Sequence, residues 1–273
     1  MQIAITGHLG FIGSHLAKEF KDYLGIDIKD GNDVRCLHPN NFEGIDYVFH
    51  LAAQPKVQLS IDDPLFTNSH NIDGTLNVLW CAKEAGVKRV IYSASSSAYG
   101  EQEIPLREDM KPNPMSPYAI QKLTGEYYCK QFYELYGLET VSLRYFNVYG
   151  EDMPLDSAYA ACIVIFLDKK KKEEMLPLLG GKQTRDFTYV KDVVRANILA
   201  MKSDKVGHGE VINIGTGKNY SIKKIANTIS DKIEYLSQRK GEPMDTLADN
   251  TKAKRLLNWK PTQDVIQWLL KQS

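Results

Sequence analysis

At 273 residues and 43% hydrophobic content, the chain can bury a sizeable core as one large α/β domain or as a domain with a smaller lobe. Lys plus Arg and Asp plus Glu balance at 34 each, so no basic field points to nucleic acid or an anionic membrane, and no apolar run reaches the length of a membrane span. Cys36, Cys81, Cys129 and Cys162 lie far apart, without a C-x-x-C or a nearby histidine pair, which fits reduced thiols in a cytoplasmic protein and gives no support to a metal site.

The N-terminal MQIAIT is short and apolar with no basic leader and reads as a first strand. It runs into TGHLGFIGSHL, where Gly7, Gly10 and Gly13 are spaced G-x-x-G-x-x-G between a strand and a helix. Such a turn brings backbone close to a pyrophosphate. Glycines also make ordinary turns, and it is the position after strand one that gives these their meaning. The second strand, DYLGID, ends at Asp27, whose carboxylate can accept from both hydroxyls of an adenosine ribose and would repel a 2′-phosphate. That predicts NAD in preference to NADP.

Further β-rich runs follow at DYVFHLA, VKRVIYSAS and TVSLRYF, separated by helical stretches such as GTLNVLWCAKEAG and YAIQKLTGEYYCKQFYELYG. This alternation predicts a Rossmann-type, doubly wound parallel sheet with helices on both faces. The fourth strand opens into the serine run SASSSAYG, at the strand end where ligands sit in open α/β sheets. SPYAIQK then sets Tyr118 one helical turn before Lys122, with Pro117 at a helix start. Alone, that spacing is an ordinary exposed helix face. Beside the glycine turn and the serine run it suggests a proton-transfer device: a lysine ammonium that lowers the phenol's usual pKa of about 10 lets the phenol take a proton from a sugar hydroxyl. After Gly150 the pattern loosens into a helical run at 158–174, the stretch RDFTYVKDVVRANILAMK, a strand EVINIG and a helix N-capped by Ser221.

TGHLGFIG, HLAAQ, NIDGT, SASSSAYG, SPYAIQK, LRYFNVYG, QTRDFTYV, NIGTG and RKGE…LADNTKAKRLLNW together resemble the extended short-chain dehydrogenases/reductases that act on nucleotide sugars. The resemblance implies an NAD-binding Rossmann domain over 1–150, to which 186–215 returns, and a substrate-binding lobe from 151–185 and 216–273. It implies Tyr118 as catalytic base and acid, Lys122 as its tuner and ribose contact, and Ser95 as the hydroxyl partner. NAD contacts are implied at Gly7, Gly10, Phe11, Ile12, Gly13, Asp27, Ile28, Val34, Leu51, Ala52, Ala53, Asn71, Ser93 and Tyr145, as well as at Tyr118 and Lys122. For the substrate it implies Ser95, Ser96, Asn147, Ala161, Cys162, Arg185, Arg239 and Thr246, with the two arginines on phosphate oxygens. Family members also dimerise through the helices at 76–85 and 118–136, so a homodimer is expected. Three places depart from the family pattern: His8 in the glycine turn, LGGKQ before TRDF, and Pro55-Lys56 after the third strand.

Among the branches, dehydratases look like T-D-E at the positions of Ser95, Ser96 and Ser97, and decarboxylases carry a nearby glutamate. Serines here leave oxidation and re-reduction at C4, a 4-epimerisation of a UDP-sugar. The alternatives are a dehydratase or decarboxylase of the same family, or a non-catalytic NAD sensor. Thr246 resembles the family's size gate at the sugar C2. A small residue there implies UDP-N-acetylglucosamine and UDP-N-acetylgalactosamine as substrates, with weaker action on the plain hexoses.

Overall fold

The computed structural model describes residues 1–155, 161–237 and 243–272. Its central sheet is built from β1 (Ile3–Thr6), β2 (Leu24–Ile26), β3 (Tyr47–His50), β4 (Arg89–Ser95), β5 (Glu139–Tyr145) and, much later, β10 (His208–Ile214). All neighbours are parallel and the order is β2-β1-β3-β4-β5-β10. The period-two alternation of a strand sorts side chains between two cores. Ile5, Phe49, Ile91 and Val141 stand in register and fill one face, while Ala4, Val48 and Val90 stand in register and fill the other.

Helices cover both faces of the sheet. α1 (Phe11–Ala17) and α7 (Val190–Lys202) supply the first core, and α4 (Gly74–Glu84) and α5 (Pro117–Tyr136) the second. Between β3 and α4 run two short helices, α2 (Val57–Asp62) and α3 (Pro64–Asn68). α9 (Thr251–Leu257) also lies on the first face: Ala253, Leu257 and the fully buried Trp259 belong to the same core as α7. That segment was expected in the lobe. Its apolar side chains instead close the sheet, and the Trp259 indole donates to the Asp192 carbonyl at 2.8 Å.

The remaining elements are short: β6 (Val148–Tyr149), α6 (Ala161–Lys171), β7 (Leu176–Leu179), β8 (Thr184–Asp186), β9 (Thr188–Tyr189), β11 (Asn219–Ser221), α8 (Ile222–Ile229), β12 (Ile233–Leu236) and α10 (Val265–Leu270). α6, α8, α10 and β7 share a third core with Tyr149 and Phe187. Local signals set the ends. Ser116 Oγ accepts from Ala119 N at 3.2 Å and Pro117 opens α5, Gly137 closes it in the left-handed conformation, and Ser221 Oγ accepts from Lys224 N at 3.1 Å.

Candidate active site

The strand order reverses between β1 and β3, and a groove of about 340 Å³ opens there, above the C-terminal ends of the strands. One wall is the glycine turn. Gly7 has φ +75°, and a Cβ on it would come within 2.7 Å of Ala52 N; a Cβ on Gly13 would lie 2.0 Å from the Gly7 carbonyl oxygen. The turn is thus folded against itself and against the loop after β3, leaving backbone rather than side chains over the groove. Phe11, Ile12, Ile28, Val34, Leu51, Ala52, Ala53 and Ser93 line the same space with Gly10. Asp27 closes the ribose end. Its Oδ2 accepts from Leu9 N at 3.1 Å and its Oδ1 from Lys29 N at 3.0 Å, so each oxygen keeps a free lone pair. A glycine cradle beside a fixed carboxylate fits an adenosine diphosphate with free ribose hydroxyls.

A second cavity, of about 430 Å³, shares Pro55 with the first and runs into the third core. Ser95, Ser96, Tyr118, Tyr145, Asn147, Cys162, Arg185 and Thr246 all line it. Ser95 Oγ accepts from Ser97 N at 3.2 Å and from Ser97 Oγ at 2.9 Å, and it shares the cavity wall with the Tyr118 phenol. Asn147 holds a strained left-handed φ of 30° and donates to the Asp186 carbonyl at 2.9 Å and to Thr246 Oγ1 at 3.4 Å. Arg185 NH1 donates to the carbonyls of Thr184 and Met244 at 2.9 and 3.1 Å. Ala161 is the first residue of α6, and Arg239 lies outside the described residues.

Two of the expected residues, Lys122 and Asn71, line neither cavity. Lys122 was expected to lower the Tyr118 pKa; in the bare chain burial pushes the phenol up to about 12, and Ser95 pulls it down. The Lys122 ammonium donates to the Ser93 carbonyl at 2.8 Å and sits 5.0 Å from the centre of the Tyr92 ring. Burial lowers its own pKa to about 8, against the pull of Cys129 and Glu126. One turn further, Glu126 forms a buried bidentate pair with Arg144 at 2.8 and 2.7 Å. Asn71 is buried next to the loop after β3. It accepts from Gln54 N at 2.7 Å and donates to the Gln54 carbonyl at 3.0 Å and to Gln121 Oε1 at 2.8 Å, thereby fixing the loop after β3.

Sequence reasoning also missed wall residues. Lys29, Asn32, Asp33 and Gln54 line the first groove, and Met115, Phe166, Gln183 and Ile222 the second. Gln54 and Gln183 lay inside quoted motifs, whereas Phe166 and Ile222 lay in helical runs that no motif marked.

Residues 3–215 match the model of the NAD dependent epimerase/dehydratase family. The chain belongs to that family. It is an NAD-dependent isomerase. A UDP-glucuronate 4-epimerase from Thermodesulfobacterium geofontis is 35% identical over 94% of this chain and 90% of its own. The solved UDP-N-acetylglucosamine 4-epimerase of Methanobrevibacter ruminantium, in complex with UDP-N-acetylmuramic acid, superposes with a TM-score of 0.91 at 35% identity, covering 100% of this chain and 99% of that one. The UDP-glucuronic acid 4-epimerase of Bacillus cereus, solved with UDP-glucuronic acid and NAD, gives 0.90 at 31% identity over 98% and 96%. As in this family generally, NAD is the cofactor.

Proposed function

We propose that this enzyme interconverts the C4 epimers of a UDP-sugar, with UDP-N-acetylglucosamine and UDP-N-acetylgalactosamine as the preferred pair and the plain hexoses turned over more slowly. The observation that carries the reaction is the Ser95 hydroxyl and the Tyr118 phenol brought together on the wall of one cavity, next to the groove that fits NAD. When bound, NAD supplies a hydride acceptor that later donates back, and its oxidised ring brings a positive charge. Tyr118 takes the proton of the C4 hydroxyl and returns it to the other epimer, while Ser95 holds the C4 oxygen in both directions. Ser96 and Ser97 offer no carboxylic acid to expel water, which favours epimerisation over dehydration. Lys122 holds the nicotinamide ribose.

For the substrate, Arg185 and Arg239 serve the diphosphate, Asn147 the sugar side, and the start of α6 at Ala161 and Cys162 the base. The reading of the substrate lobe as 151–185 with 216–273 is supported by the third core, which joins α6, β7, α8 and α10, while 251–259 packs on the sheet. Thr246, small and on the cavity wall, supports room for an N-acetyl group. Exposed Trp80, Tyr127 and Tyr136 on α4 and α5 support pairing with a second copy, and four free thiols suit a reducing compartment such as the cytoplasm. Incubation with UDP-N-acetylglucosamine, UDP-glucose and UDP-glucuronate, followed by chromatography of the released sugars, tests this reading. Formation of N-acetylgalactosamine at the highest kcat/KM supports it. A pentose or keto-deoxy product, or turnover of UDP-glucuronate alone, overturns it.

A further inference from the structure

The glycine turn carries an imidazole at its second position, and the structure gives that ring a complete set of partners. His8 Nε2 lies 2.8 Å from Asp30 Oδ2, and Tyr23 Oη lies 3.4 Å from Nδ1. A carboxylate only accepts, so Nε2 carries the proton, and Nδ1 of the neutral ring accepts from the phenol. The Tyr23 and His8 rings meet edge to face at 5.8 Å. Both nitrogens are therefore committed, and the side chain is only 13% exposed.

Asp30 is a hub for the ribose end of the groove. Its Oδ1 accepts from Asp27 N at 3.3 Å, from Asn32 N at 3.3 Å and from Asn32 Nδ2 at 2.9 Å. Asp27 in turn is tied to the glycine turn through Leu9 N, and Lys29 Nζ donates back to the Leu9 carbonyl at 3.2 Å. Leu9, Asp27, Asp30 and His8 thus close a ring of hydrogen bonds between the phosphate turn and the loop after β2. β2 makes room for it: a Cβ on Gly25 would lie 2.7 Å from His8 Cε1 and 2.8 Å from Nε2. Glycine weakens a strand interior, and here its presence is explained by the imidazole lying across it.

We infer that His8 is a positioning residue for the cofactor, a latch that, through Asp30, holds the Asp27 carboxylate and the glycine turn at the separation an adenosine diphosphate needs, with Gly25 as its seat. The inference is independent of which sugar the enzyme takes. It predicts that freeing the latch weakens NAD rather than the fold, because the loop must then be ordered by the ligand itself.

The test uses the full chain. NAD retained per chain after gel filtration, the calorimetric Kd for NAD and the thermal midpoint are compared for wild type, His8→Gly, Gly25→Ala, the double variant and His8→Gln. A lost charge-assisted hydrogen bond, partly transmitted to the ligand, gives about a tenfold rise in Kd for His8→Gly and for Gly25→Ala. The double variant is no weaker than His8→Gly alone, since the added methyl then meets no ring. His8→Gln keeps a donor for Asp30 and regains most of the affinity. An unchanged Kd in His8→Gly, additive losses in the double variant, or a lowered thermal midpoint with NAD affinity intact would each overturn the latch.

Discussion

Replacing Lys122 with methionine should make the protein more stable and inactive. The ammonium is 2% exposed, and burial lowers its pKa from 10.5 to about 8. An amine whose folded pKa lies below its unfolded one penalises the fold wherever it is protonated, in full below the folded value. At 1.36 kcal/mol per unit, a difference of about 2.5 units costs about 3 kcal/mol at pH 7. Part of that is offset by the 2.8 Å bond to the Ser93 carbonyl, which methionine cannot make. The expected net gain is about 1–3 kcal/mol at pH 7. The sign fixes the pH window: wild type should gain stability between about pH 8 and 10.5, where the unfolded chain binds more protons, and the gap to Lys122→Met should close there. Urea unfolding of both proteins at about pH 7, 8.5 and 10, with turnover measured alongside, provides the assay. A variant less stable than wild type by an amount independent of pH would refute the reasoning, because the ammonium would then not be opposing the fold.

Tyr118→Phe should remove turnover while leaving NAD content and the thermal midpoint near wild type, since it deletes one hydroxyl from the cavity wall; near-normal epimerisation would contradict the proton-transfer role. Asp27→Arg should raise the Kd for NAD and lower that for NADP, read by parallel calorimetric titrations, with an unchanged preference showing that the carboxylate does not face the ribose. His50 should make the fold acid-sensitive: Thr75 Oγ1 already donates to the Asn71 carbonyl, so His50 must donate to Thr75 and accept from Thr6, a neutral ring whose pKa burial lowers to about 3. The unfolded chain binds a proton there from about pH 6.5 downward, so roughly 3 kcal/mol should be lost by about pH 4 beyond what a His50→Asn variant loses, as measured by urea titration. Thr246→Tyr should suppress turnover of the N-acetyl substrate far more than that of UDP-glucose, by filling the cavity wall beside Asn147; equal losses in kcat/KM on both would remove the size-gate argument.

What the sequence made legible has a common character: it is local. The strands QIAIT and VKRVIYSAS, the Ser116-Pro117 start of α5 and the Ser221 cap each depend on residues within one turn or one strand. Members of the quoted motifs reach the walls of the two cavities because strand ends and the loops after them are fixed by that local pattern. The two- and three-residue strands β6, β8, β9 and β11 were not legible, since their pairing partners lie far along the chain and so short a run carries no period. Placement of 251–259 on the sheet was hidden for the same reason: apolar Ala253, Leu257 and Trp259 serve a lobe or a sheet equally well until the third dimension decides. Asn71 and Lys122 show what spacing leaves out: it says nothing of depth, and both side chains are buried and donate to backbone carbonyls.

Depth also governs the chemistry. Burial drives Tyr118 up to about 12 and Lys122 down to about 8, each toward its neutral form. At pH 7 the bare site therefore holds a protonated phenol and, one turn away, an ammonium aimed at a carbonyl. Glu126 favours that ammonium, and Arg144 favours a charged Glu126, against burial that pushes the carboxyl up. None of these groups brings the phenol to a working range; the positive charge of an oxidised nicotinamide held beside Tyr118 would favour the phenolate. Opposite charge within a few ångströms acts on Tyr118 with little screening, because the walls that raised its pKa also exclude water. The burial that holds the bare phenol protonated would thus also strengthen its response to a cofactor's charge.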